Sequence, residues 1–314
     1  MVKEGTKVEN ATKKKNSLRQ YSGFGDKVLI GFIYFLLIFI LIIILLPIVN
    51  IVASSFSSAS AVTAGKVTLW PVDYSLEGYK AVFNNHLIVG GFVNSFKIMV
   101  LGTIINLFVT LIAAYPLSFP VLPGRKYVTL LFSFTMFFSG GTIPTYLVVR
   151  NLGMVDTIWS MVVPGALSVY NMIIARTFMQ SSIPMELYES AEIDGCSFTR
   201  IFLSITLPLS KALLAVLSLM FAVGHWNSYF SALIYLRTQD LFPLQLVLRQ
   251  ILVINTFSLE EMTGGMAEEM LERQYLGNLL KYSVIVVASA PMLMIYPFVQ
   301  KYFVKGVMLG SLKG

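Results

Sequence analysis

From residue 28 onward the chain alternates long charge-free apolar windows with short polar stretches. Six windows reach about 18 residues or more, the length that carries a helix across a bilayer. They are 28–50, 98–122, 127–149, 157–175, 212–236 and 282–300. The second extends back toward Gly91, with Lys97 near its outer end. The pattern predicts an all-α membrane protein with six transmembrane helices. Window 28–50 is longer than the 7–15-residue apolar core of a cleavable signal, so it reads as a retained first span although Ala53-Ser54-Ser55 follows it. Gly140-Gly141 and Pro144 fall inside the third window. Gly and Pro at membrane depth interrupt a helix where neighbours satisfy the freed backbone. The interruption admits two readings, a bend lining a pathway and a packing kink.

Charge sets the orientation. Residues 1–27 carry seven Lys/Arg, including Lys13-Lys14-Lys15; Arg125 and Lys126 precede the third window, and Lys301, Lys305 and Lys313 follow the sixth. An even number of spans puts both termini on one side, and the positive-inside rule makes that side the cytoplasm. The expected organisation is a cytoplasmic basic tail 1–27, a six-helix transmembrane domain 28–304 and a cytoplasmic tail 305–314. Segment 181–211 then lies inside and segment 237–281 outside. The basic tail reads as a solvated orientation signal, with binding to anionic lipid as the alternative.

Segment 181–211, SSIPMELYESAEIDGCSFTRIFLSITLPLSK, is the polar interruption with the most ordered pattern. Ser181 or Ser182 is placed to cap a helix, with Pro184 in its first turn. Glu186, Glu189 and Glu192 are three apart and share one side. Leu187 and Ala191 give that helix an apolar patch. Asp194-Gly195 ends it, Ser197 caps a second short helix, and Pro208 marks the next apolar run. A helix, a glycine hinge and a second helix between two spans are suited to docking.

The same stretch resembles the EAA motif of membrane subunits of ATP-binding-cassette importers. The matching residues are Glu189-Ser190-Ala191, then Gly195 after three residues, Ile205 after nine more, and Leu207-Pro208 after one. Asp194 and Leu209 also match; Ser190 and Cys196 depart from the usual small residues at their positions. The resemblance implies a MetI-like importer permease fold and a cytoplasmic coupling helix held in a cleft of an ATPase subunit. It assigns coupling to Glu186, Glu189, Ser190, Ala191, Asp194, Gly195, Ile205, Leu207 and Pro208. Leu69-Trp70-Pro71 through Tyr79 is similar to the external connection between the first two spans of sugar-type importers. His225-Trp226-Asn227-Ser228-Tyr229-Phe230 resembles the WN-aromatic signature of the carbohydrate branch. Lys305-Gly306 and Lys313-Gly314 resemble the tail of oligosaccharide permeases.

These likenesses imply the second permease of a maltose- or oligosaccharide-type importer, in a prokaryotic cell membrane, working by alternating access. The implied partners are a different second permease, two ATPase subunits and an extracytoplasmic solute-binding protein. Asn227 and Ser228 within a span are costly unless they face a cavity or another helix. Aromatic rings beside amide and hydroxyl groups suit a sugar. Asn94, Trp226, Asn227 and Tyr229 are therefore candidates for the substrate path; the other reading is an aromatic belt with Asn227 bonded to a neighbouring helix. Gly264 and Gly265 allow close approach at a loop tip. In maltose-type transporters the equivalent loop contacts the binding protein, and a plain surface loop is the alternative.

Composition agrees: the chain is 56% hydrophobic and 12% charged, against about 25% charged in soluble domains. The net charge of +7 follows the orientation pattern, so it does not call for nucleic acid. One cysteine, Cys196, excludes an internal disulfide. His86 and His225 lie far apart with no cysteine partner, which argues against a metal site. The chain carries no G-x-x-x-x-G-K-[ST], so ATP and Mg are expected on partner subunits and no cofactor on this one. No convergent Ser/His/Asp set points to an enzyme. The rivals are an importer permease for a non-sugar solute and, in another class, a secondary transporter or membrane enzyme without an ATPase. None of the six windows holds the Asp or Glu that an ion-coupled carrier uses.

Overall fold

Helix α1, Phe24–Ser55, is apolar on every side, and its side chains stay exposed to this chain's surroundings until Ala53, Ser54 and Ser55. A helix of that kind is written for lipid or for another subunit's helix rather than for its own core. The computed structural model describes residues 23–257, 277, 279–297 and 300, and the secondary structure of the described residues is helical with connecting turns. At the end of α1, Asn50 donates to the carbonyls of Val67 and Thr68 at 3.1 and 2.8 Å, and Ser55 pairs with the Tyr79 hydroxyl at 2.8 Å. Tyr79 belongs to α2, Glu77–Asn84. Gly78 in that helix lies so close to Ser283 and Leu279 that a Cβ would collide with them.

Helix α3, His86–Ser118, organises the molecule. Asn85 caps it, its Oδ1 accepting from the Leu87 and Ile88 amides at 3.0 and 3.3 Å. Buried positions recur every three or four residues from Ile88 to Leu117, the spacing of a helix face in contact with neighbours. Next come α4, Arg125–Phe137, α5, Thr142–Asn151, α6, Trp159–Val162, and α7, Val169–Ser182. Helix α8, Met185–Ile193, and α9, Phe198–Ile201, lead through a π turn, Phe202–Thr206, to a short turn at Leu207–Leu209. The chain continues with α10, Lys211–Trp226, α11, Tyr229–Tyr235, a 3₁₀ turn at Gln239–Leu241, α12, Leu244–Phe257, and α13, Leu279–Pro297. Helix α3 packs along α7, α10 and α12.

The spans are less continuous than the windows imply. Helices α1, α3 and α13 are each long and apolar enough to cross a bilayer, and two bent pairs bring the number to as many as five. The third window breaks by 110° between α4 and α5, where Gly141 takes φ +85°. The fourth is not a single helix. Pro164 has no N–H to continue α6, and beyond it the Gly165 carbonyl accepts from Asn106 at 3.1 Å. The fifth breaks at Asn227-Ser228, with Asn227 folding its amide back to the Val223 carbonyl at 3.0 Å. Helix α10 is also bent by 81° from the residues before it. Within segment 237–281, α12 packs against α3, with Leu244, Leu246 and Val247 buried.

Two ends of the bundle can be told apart by contacts. One gathers the end of α3, the 119–124 turn and residues 176–206, joined by Gln180 to the Ser118 carbonyl at 2.9 Å and Tyr115 to the Phe198 carbonyl at 3.1 Å. The other gathers residues 94, 146–157 and 235–244.

Candidate coupling segment and transport cavity

Segment 183–206 is built around one ring. Tyr188 is 4% exposed and packs with Ile183, Ala191 and Ile201. Its ring meets Phe119, at the end of α3, edge-on at 4.8 Å. Phe119 also meets Phe198, and Tyr115 meets Phe202 at 4.8 Å. Such pairs add about 0.5–1.5 kcal/mol each beyond area burial. Burial pushes the Tyr188 phenol up from its ordinary range, and its hydroxyl contact with Thr206 pulls the other way. The buried pair on α8 is thus Tyr188 and Ala191, three apart, whereas Leu187 is exposed. The expected serine cap is also corrected: Ser181 and Ser182 end α7, and Pro184 takes the N-cap position of α8.

The hinge forms as expected. Gly195 has φ +74°, and the Cys196 and Gly195 amides donate to the Ala191 and Glu192 carbonyls at 2.9 and 3.0 Å. This is the pair of hydrogen bonds that closes a helix on a left-handed residue. Ser197 then caps α9 through the Arg200 amide at 3.4 Å. Glu186, Glu189, Ser190 and Asp194 are exposed, and Ile193 at the tip is 86% exposed. Ile205 and Leu207 are half-buried against the neighbouring clusters, while Pro208 is exposed. The segment thus presents an apolar tip rimmed by carboxylates and is fastened through aromatic rings to α3.

A cavity of about 950 Å³ opens beside the break in the fifth window. Asn227, Tyr229, Gln245, Arg249 and Ser289 supply its polar wall, and α1 and α13 its apolar one. Apolar walls with a few placed polar groups are the usual make-up of a small-molecule site. Among the described residues that line it, Arg249 is the one charged residue and none is acidic. Trp226 contributes to the wall but is 1% exposed, donating to the Ala288 carbonyl at 3.0 Å and meeting Phe92 edge-on at 5.4 Å. Asn94 is not in this lining; its amide donates to the Asp240 and Phe242 carbonyls at 2.6 and 3.2 Å. Gly264, Gly265 and both terminal tails lie outside the described residues. Among the described residues no group of three or more His, Cys, Asp or Glu could hold a metal ion.

Sequence reasoning did not anticipate a clamp at the other end. Asp156, at φ +60°, accepts from the Arg237 and Thr238 amides at 2.8 and 3.0 Å and from the Thr238 hydroxyl at 2.7 Å. Arg237 also donates to the Tyr146 hydroxyl at 3.2 Å, and Tyr146 stacks on Tyr235. The amide bonds from Thr238 and Arg237, with the Thr238 hydroxyl, hold the Asp156 carboxyl below its usual range. Only an Asp at a left-handed turn hints at it in the sequence.

No family model matches the chain. It is 40% identical over 282 residues, 90% of this chain and 97% of the relative, to a polygalacturonan/rhamnogalacturonan transport system permease protein, YtcP, of Bacillus subtilis. Protein LplC of the same organism is 41% identical over 268 residues, 85% of this chain and 89% of the relative. A chain of a bacterial ABC transporter involved in the import of the acidic polysaccharide alginate, known from its crystal structure, superposes with a TM-score of 0.81 at 31% identity, covering 90% of this chain and 99% of that one. With the glutamate-rimmed helix, its glycine hinge and the broken spans around the cavity, these likenesses make the chain a member of the permease subunits of ATP-binding-cassette sugar importers.

Proposed function

We propose that this chain forms half of the translocation pathway of an importer for acidic oligosaccharides. The observation that carries the substrate class is Arg249, the single charged side chain among the described residues that line the cavity. A guanidinium there is matched to a uronate carboxylate, with Asn227, Tyr229 and Gln245 for hydroxyls and the apolar wall for sugar C–H faces. The transport of a pectic polymer by a relative and of alginate by a structural neighbour supports the same class.

In this reading six spans place both termini and segment 181–211 in the cytoplasm of a prokaryotic cell. Two partner ATPase subunits, carrying ATP and Mg, grip α8 through its carboxylates. A second permease completes the pathway, lying against the exposed α1, and an external binding protein delivers the sugar. Closure of the ATPases moves α8, the aromatic cluster moves α3, and α3 shifts α10 and α12, which carry Asn227, Gln245 and Arg249. Gly264 and Gly265 are assigned to contact with the binding protein.

Uptake of an oligogalacturonate and of its carboxyl-reduced, neutral counterpart tests the substrate class. Wild type is expected to prefer the acidic sugar, and Arg249→Gln to lower its uptake about tenfold or more while changing the neutral one little, since a charge-assisted bond contributes about 1.5–3 kcal/mol. Equal loss for both sugars would remove the carboxylate role from Arg249. Uptake of neither sugar by wild type would overturn the carbohydrate reading.

A further inference from the structure

A second cavity, of about 630 Å³, lies far from the sugar path, between the 119–124 turn, the first turns of α4 and the middle of α7. Arg125, Lys126 and Arg176 all line it, and among the described residues no acidic one does. Gathered cations raise the local potential and call for an anion. Two polar atoms in the same lining are buried without a partner among the described residues, the Arg176 Nε and the Thr129 Oγ1. Buried donors left unmade are costly, and each needs an account. An anion with several acceptor oxygens answers both at once.

We propose that this pocket binds the phosphate of an anionic phospholipid, held by Arg125, Lys126 and Arg176 with the Thr129 hydroxyl as a neutral donor. Phosphate oxygens match the guanidinium fork. The apolar part of the lining selects a lipid over a free anion or a protein carboxylate. Leu122 and Leu130 line the pocket, and exposed Leu130, Leu131 and Phe134 continue the apolar surface along α4, where acyl chains would run. Arg176 precedes α8 on the same helix that Gln180 ties to the end of α3. The bound headgroup therefore braces the helix that feeds the coupling segment. This site stands on different residues from the sugar cavity and does not depend on its substrate.

The test uses the complete importer reconstituted in phosphatidylcholine with or without phosphatidylglycerol, then native mass spectrometry to count retained anionic lipid. Wild type is expected to retain phosphatidylglycerol, and Arg176→Gln or Arg125→Gln to retain about tenfold less. Arg176→Lys, which keeps the charge but loses the guanidinium fork, is expected to retain more than Arg176→Gln and less than wild type, and Arg150→Gln, at the other end of the bundle, to match wild type. Equal retention in the Gln variants overturns the proposal. Displacement of the lipid by excess inorganic phosphate makes this a small-anion site and overturns it as well. Loss of ATPase co-purification in Arg176→Gln, with no lipid retained by wild type, reassigns the cluster to a protein carboxylate.

Discussion

Gly195 has open space where a Cβ would sit, so its replacement is decided by backbone conformation at φ +74° and not by crowding. A side chain in the left-handed region costs about 1–2 kcal/mol, and a β-branched one more. Gly195→Val is expected to reach normal membrane abundance and to lose most ATPase co-purification; full co-purification would show that the turn's shape is dispensable. Tyr188 makes the opposite case, since its ring is enclosed. Truncating a buried aromatic costs about 3–5 kcal/mol, so Tyr188→Ala should expose segment 183–206 to protease while Tyr188→Phe protects it like wild type. Equal cleavage of Tyr188→Ala and wild type would mean that the ring does not hold the segment. The glutamates and Gly195 were legible in the sequence because their spacing is local. Tyr188 was passed over for Leu187, although Tyr188 and Ala191 also stand at helical spacing, because the ring's partner Phe119 lies far back in the chain.

Continuity of the elements was the harder property to read. A charge-free window measures apolar length, but a helix also needs every backbone donor in register. Pro164 removes one, and the Asn227 side chain competes with the backbone for an acceptor, the Val223 carbonyl. The third break was legible in Gly140-Gly141 because glycines announce it. Nothing local marked Asn94 as the clasp of a turn whose carbonyls are 146 and 148 residues away, or brought Arg249 to the cavity. The clamp at Asp156 has a pH signature. Its carboxyl is held below the ordinary aspartate value of 3.8. The bonds therefore contribute stability that is present above that value and lost as pH falls through the depressed folded one. The difference in Tm between wild type and Asp156→Ala is expected to be constant around neutral pH and to shrink on acidification below 3.8. A difference that grows on acidification would contradict the assignment.

At the scale of the whole molecule, one helix joins two sites. Helix α3 runs up to Phe119, whose ring Tyr188 meets, and packs along α10 and α12, whose residues line the cavity of about 950 Å³. Its 33 residues, buried along one face, suit it to carry a displacement from one end to the other, because a close-packed interior transmits strain. The account's central claim is that the α8 carboxylates receive the ATPase's motion. Glu189 is exposed and makes no part of the aromatic mount, so Glu189→Lys leaves folding within about 0.5 kcal/mol while reversing the charge offered to the partner. The most direct measurement is ATP-driven sugar uptake into proteoliposomes carrying equal amounts of folded wild-type or Glu189→Lys permease with its partner subunits. The account predicts that uptake by the variant falls at least tenfold; uptake equal to wild type would contradict it.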